Sequence, residues 1–103
     1  MPNQFHKYHG PDSMLFTRLL DSEGKILMQC RGCIDENCYT DCINAIRRAA
    51  AHDNLFERNS NHEGKWFFNL RSEDGRTLAT SRMHDSSFEM ERSISIAKAI
   101  ANE

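Results

Sequence analysis

The sequence predicts an α+β protein: a tandem repeat in which each copy is a three-stranded antiparallel meander followed by one helix. Three observations lead there. Laid on itself with a fixed offset, the chain aligns without a gap. Phe5 meets Phe56, Phe16 meets Phe67, Leu19 meets Leu70, Gly24 meets Gly75, Leu27 meets Leu78 and Ile43 meets Ile94. Self-similarity at a fixed period is the mark of one structural unit used twice. Strand-like runs separated by Gly, Asp and Ser turns fill the first part of each copy. Helical spacing fills the last part: Tyr39, Ile43, Ile46 and Ala50 in one copy, Met90, Ile94, Ala97 and Ala101 in the other.

At 103 residues there is room for one core, and a half of about 50 residues would be marginal alone. Residues 1–103 therefore read as a single domain, with repeat one at about 4–51 and repeat two at about 55–102. The two meanders are expected to join in one antiparallel sheet with both helices on one face and pseudo-twofold symmetry.

Taken in order, Gln4–Tyr8 and Leu55–Asn59 read as the short first strands. The polar links His9–Ser13 and Ser60–Gly64 follow them. Met14–Leu20 and Lys25–Cys30 form the first hairpin around Asp21–Gly24, and Lys65–Arg71 and Arg76–Ser81 the second around Ser72–Gly75. Gly75 supplies a positive φ at little cost. Asp35 or Asn37 can cap the first helix, and Ser86-Ser87-Phe88-Glu89 offers a capping box for the second.

Strand alternation assigns Leu15, Thr17, Leu19, Trp66, Phe68 and Leu70 to the helix-covered face. With Ile43, Ile46 and Ile94 they make the expected core. Phe16, Arg18, Phe67 and Arg71 fall on the opposite, open face.

Composition narrows the classes of function. A net charge of −2 gives no general attraction to nucleic acid or anionic membrane. No stretch approaches a membrane span, and residues 1–30 lack the basic–apolar–small order of a secretory signal. A cytoplasmic location is expected, with the four cysteines as thiols. There is no glycine-rich phosphate loop, nucleophile elbow or HExxH motif. The histidines are scattered, and Asp35-Glu36 and Glu89/Glu91 read as favourable charges at helix N-termini. No catalytic residues are assigned, and an enzyme is not expected.

Phe56-Glu57-Arg58, Gly64-Lys65-Trp66-Phe67-Phe68-Asn69-Leu70, Asp74-Gly75, Leu78-Ala79-Thr80-Ser81 and Ser93-Ile94 together resemble the YegP-like family. Repeat one resembles it more loosely: Gln29-Cys30 stands where the family favours Thr-Ser, and Cys42 and Ser93 replace the usual glycine before isoleucine. The resemblance runs from about Phe5 to Ala101. It implies a single antiparallel sheet carrying helices, with no established activity, cofactor or site residues to carry over. The family pattern also has a strand after its last helix, which this chain, ending at Glu103, does not show. An open sheet edge is a template for another chain, so a homodimer or a protein partner is expected.

Two constellations remain. Phe16, Arg18, Arg31, Phe67, Arg71 and Arg82 form a candidate binding face of aromatic and arginine side chains. A small non-catalytic protein-interaction domain is the reading it supports. RNA or single-stranded nucleic acid, stacked on the aromatics and paired to the arginines, is the alternative.

Cys30, Cys33, Cys38 and Cys42 follow C-x2-C-x4-C-x3-C and offer a second alternative, a zinc or redox site in repeat one. The spacing matches neither two separated C-x2-C knuckles nor the common ferredoxin runs. The equivalents in repeat two are Ser81, His84, Glu89 and Ser93, so the shared fold does not demand thiols. No cofactor and no metal are assigned. The four thiols are expected not to share a site, with Cys42 buried under its helix and Cys33 accessible.

Overall fold

The computed structural model describes residues 5–30 and 32–101. Six strands and two long helices follow one another as β1 (Phe5–His9), β2 (Leu15–Leu20), β3 (Ile26–Cys30), α1 (Glu36–Ala50), β4 (Phe56–Ser60), β5 (Trp66–Arg71), β6 (Thr77–Ser81) and α2 (Ser87–Ala101). The strands form one antiparallel sheet in the order β1-β2-β3-β6-β5-β4. Strand ends fall within one residue of the sequence reading, except that Gln4 lies outside the described residues.

Turn chemistry sets the hairpins. Asp21 Oδ1 accepts from the amides of Glu23 and Lys25, and Gly24 adopts φ +82°. That is the left-handed region, open to glycine without a Cβ penalty. Asp35 caps α1, its carboxylate accepting from the Cys38 amide at 2.8 Å. Ser86 Oγ accepts from the Glu89 amide at 3.2 Å at the start of α2.

Matching positions take matching pairings. Phe5 faces Leu19 as Phe56 faces Leu70, and Leu19 faces Met28 as Leu70 faces Ala79. The halves meet along β3–β6, where Gln29 lies opposite Thr80. A bulge in each hairpin adds Leu27 between the pairs Leu19–Met28 and Leu20–Ile26, and Leu78 between Leu70–Ala79 and Arg71–Thr77. The extra residue breaks strict alternation. Adjacent residues Leu27 and Met28, and likewise Leu78 and Ala79, are therefore all buried.

Both helices pack on the same face and on each other. Leu19, Met28, Phe68 and Leu70 from the sheet meet Ile46, Ala49 and Ala50 of α1 and Met90, Ile94, Ala97 and Ala101 of α2 in one core. Two expected core members are only half-buried. Trp66 sits at the strand end against the rim of the core. Ile43 lies on the flank of α1, because the helix turns Cys42, Ala45, Ile46 and Ala49 toward the sheet. Small residues bring a helix close, and close approach along one stripe rotates its bulkier neighbours aside. Among the described residues no helix is long and apolar enough to cross a membrane.

Candidate functional site

On the sheet face away from the helices, one row of side chains crosses all six strands. His6, Arg18, Gln29, Thr80, Asn69 and Glu57 are successive register partners along it. All six are polar. In the β1–β2 half they frame an aromatic ladder: His6 stacks on Tyr8 at 5.9 Å between ring centroids, and Tyr8 on Phe16 at 5.6 Å. The Arg18 guanidinium lies 4.6 Å from the Tyr8 ring centroid and donates from Nε to His6 Nδ1 at 3.2 Å. Gln29 Nε2 donates to the Tyr8 hydroxyl at 2.6 Å. Phe16 is pinned from the other side, since a Cβ on Gly10 would lie 2.3 Å from its Cε2 and a Cβ on Gly32 2.9 Å from its Cζ.

The β4–β5 half is built differently. Glu57 Oε1 accepts from Arg71 Nη2 at 2.9 Å and from Asn69 Nδ2 at 3.1 Å. Arg71, then Asn69 and Asn59, hold the Glu57 carboxyl down to about 2, well below the usual carboxylate range. Thr80 Oγ1 donates to Asn69 Oδ1 at 2.7 Å.

The structure thus puts Phe16, Arg18, Phe67 and Arg71 on the open face, with Arg71 committed to Glu57 and to the Gly75 carbonyl. Arg31 lies outside the described residues. Arg82 lies at a groove between the β2–β3 turn and α2, shared with Asp21, Glu23, Leu27, Phe88 and Arg92. His6 and Tyr8 complete the ladder and were missed from sequence. The alternation Phe5-His6-Lys7-Tyr8 held the signal, because it puts both rings on the face of Phe16.

The thiols lie on the other side of the sheet, at the start of α1. Cys30 ends β3, and Cys33 forms an isolated bridge with Leu15, with hydrogen bonds of 2.7 Å in each direction. Both are 5% exposed, Cys42 is half-buried and Cys38 is exposed; all four are reduced. The expectation for Cys33 and Cys42 is therefore reversed. The Leu15 bridge folds the loop after β3 back over the sheet and covers Cys33, while Cys42 packs against the edge of the core and stays partly exposed.

The neighbouring cysteines act on one another's titration. Donation from Cys30, then from Cys33, with the nearby Arg76 charge, draws the Cys42 thiol down to about 7 against the opposing effect of burial. Cys30 is pushed well up by its bond to Cys42 and by burial, and Cys33 to about 12, mainly by burial. Among the described residues, no three His, Cys, Asp or Glu side chains are placed to hold a metal ion.

Repeat two has the same junction in other chemistry. His84, 1% exposed, lies with Nε2 2.8 Å from Ser93 Oγ and Nδ1 3.1 Å from the Trp66 carbonyl. A carbonyl can only accept, so Nδ1 carries the proton and Nε2 accepts from the Ser93 hydroxyl. Ser81 Oγ accepts from the Phe68 amide at 2.9 Å and donates to the Arg82 carbonyl at 2.8 Å.

Comparison with known proteins gives the same architecture. Solved structures of a protein of unknown function, YegP from E. coli, and of a UPF0339 protein from Shewanella oneidensis superpose on the whole chain. The first has a TM-score of 0.90 at 18% identity over 89% of its own length. The second has a TM-score of 0.91 at 13% identity over 87%. The chain has the YegP-like fold. At such identity the likeness speaks for the YegP-like fold alone, and neither neighbour has a stated activity. No family model matches the sequence, and no curated protein matches it.

Proposed function

We propose that this chain is a non-catalytic interaction domain that binds a protein partner on the helix-free face of its sheet. The observation that carries the reading is the polar row across all six strands with the His6–Tyr8–Phe16 ladder at one end. Aromatic and arginine side chains set among neutral polar groups are the composition of protein interfaces. The charges of this face support a protein over a nucleic acid. Arg71 is paired with Glu57, Arg18 lies over Tyr8, and no run of lysines follows them. A phosphate backbone is held by several cations in series.

The reading includes a single domain of two repeats related by a near-twofold axis through the Gln29–Thr80 pair, working in the cytoplasm. Four unbridged thiols support that compartment. The two exposed sheet edges, β1 and β4, carry Lys7 and Arg58 among their side chains, and charged edges disfavour strand addition. A partner is thus expected on the face.

A photo-crosslinking amino acid at Phe67 tests this in living cells. A saturable protein adduct, weakened by Arg18→Glu and absent when the crosslinker replaces Arg48 on α1, is the expected result. Adducts to RNA, or equal labelling from Arg48, would overturn it.

A further inference from the structure

Each repeat sets its helix against the hairpin turn of the other, and a groove runs along each junction. One lies between α1 and the β5–β6 turn and is lined by Ala45, Ala49, Ser72, Asp74 and Arg76. The other, of about 580 Å³, lies between α2 and the β2–β3 turn and is lined by Ile96, Ile100, Asp21, Glu23 and Lys25. These are repeat-equivalent positions, so the fold makes both grooves.

The residues that differ single out the groove on α2. Arg92 stands where repeat one has Asp41, Phe88 where it has Asn37, and Ile96 and Ile100 where it has alanines. The shared architecture asks for none of them. Arg82 lines the same groove as Arg92, and among the described residues neither guanidinium makes a hydrogen bond or an ion pair. The acids of the turn are engaged. Asp21 Oδ1 accepts from two turn amides, each at 2.9 Å, and Glu23 pairs with Lys25 at 3.6 Å. Among the described lining residues, that leaves Glu89 against two arginines. The groove calls for negative charge.

Its length and walls say what brings that charge. Ser86, Glu89, Ser93, Ile96 and Ile100 line it as one stripe of α2. From the first to the last a helix rises about 21 Å, the length of about six residues of extended chain. Glu89 and Arg92 fall in the first half of the stripe, and the isoleucines at its end. A small anion would use one end only. Leu27 and Ile100 give a buried apolar floor, while Ser22, Glu23 and Lys25 on the hairpin side are exposed and polar. A wet, polar wall suits a peptide backbone, which hydrogen-bonds, and not an alkyl chain.

We infer that this groove docks a linear peptide segment carrying acidic side chains next to aliphatic ones. The carboxylates pair with Arg82 and Arg92, since a guanidinium fork matches a carboxylate. The aliphatic side chains lie on Leu27, Ile96 and Ile100, and the segment covers Phe88, which is 76% exposed. The groove is on the helix side of the sheet and is independent of the open face.

Selection from a random heptapeptide phage library against the full-length chain tests this. Enriched sequences are expected to carry Asp or Glu next to Leu, Ile or Val, and their fluorescein-labelled synthetic versions to bind in anisotropy titrations. Arg82→Ala with Arg92→Ala should weaken binding at least about tenfold. Both side chains are exposed, so the double variant should keep the wild-type thermal midpoint. Arg18→Glu, on the open face, should leave the affinity unchanged. Enrichment without acidic residues, no enrichment, or affinity indifferent to the double variant would overturn the proposal. Loss in Arg18→Glu instead would move the peptide to the open face. Oleate bound in place of any peptide, and lost in the double variant, would give the groove to a lipid carboxylate and overturn it too.

Discussion

The imidazole of His84 lies 2.8 Å from the hydroxyl of Ser93, and both side chains are buried at the junction of β6 and α2. Burial lowers the His84 pKa, against a smaller upward pull from the Trp66 carbonyl. The folded state therefore keeps this ring neutral. Below the ordinary histidine value of about 6.5 the unfolded chain takes up a proton that the folded chain refuses. Stability should be level above that value and fall as the pH drops below it. Thermal midpoints from pH 7.5 to 5 should decline in wild type, and His84→Asn should flatten the profile. A slope unchanged in the variant would show that other groups carry it.

A second pH effect lies further into acid. Asp53 is held down to about 2 by hydrogen bonds from Lys98 and Arg58. A carboxyl with a depressed folded value adds stability above its unfolded value, and that stability is lost as the pH falls through the folded one. Asp53→Asn should therefore lower the midpoint at pH 6 and have a much smaller effect near pH 2. A constant deficit at both would point to packing rather than charge.

Helix α1 offers a test of its rotation. Ile46 is fully buried and Ile43 half-exposed on the flank. Ile46→Ala should cost about 2–5 kcal/mol. Ile43→Ala should cost less than about 1 kcal/mol. Equal costs in reversible urea melts would mean the helix is turned differently.

Gly10 and Phe16 should behave as a coupled pair. The Cβ of Gly10→Ala would fall inside the contact distance of the Phe16 ring. The ring is also held by Tyr8, so relief has a cost of about 1–3 kcal/mol. Phe16→Leu removes the clashing ring edge, and the double variant should recover part of the loss. Strict additivity in a double-mutant cycle would refute the contact.

Much of this fold is legible in the chain because the repeat supplies each observation twice. The buried face of α2 follows the Met90, Ile94, Ala97, Ala101 spacing without exception. The face of α1 does not, since Cys42, Ala45 and Ala49 outweigh the apparent stripe of Tyr39 and Ile43. Small residues carry little weight in a hydrophobic pattern, yet they decide how closely a helix sits. The bulges at Leu27 and Leu78 were hidden for a related reason: period-two reading assigns each position one face. The burial of Cys33 depends on the Leu15–Cys33 bridge, a long-range pairing that spacing alone does not encode. The aromatic ladder was within reach, because the face of β1 can be read by alternation once β1 is paired with β2.

The strand order also bears on how the chain reaches its native state. Four of the five strand pairs join consecutive strands. The fifth, β3–β6, brings together Gln29 and Thr80 from opposite halves of the chain. Loop closure over that span is the largest entropic cost in the assembly. Contacts distant in sequence slow folding. Each meander is expected to zip early and the seam to close late. The single tryptophan, Trp66, reports on repeat two. Stopped-flow refolding followed at Trp66 should therefore show Gln29→Gly and Thr80→Gly accelerating unfolding more than they slow refolding. The opposite pattern would make the seam the nucleus, and the two halves would then be partners from the first step.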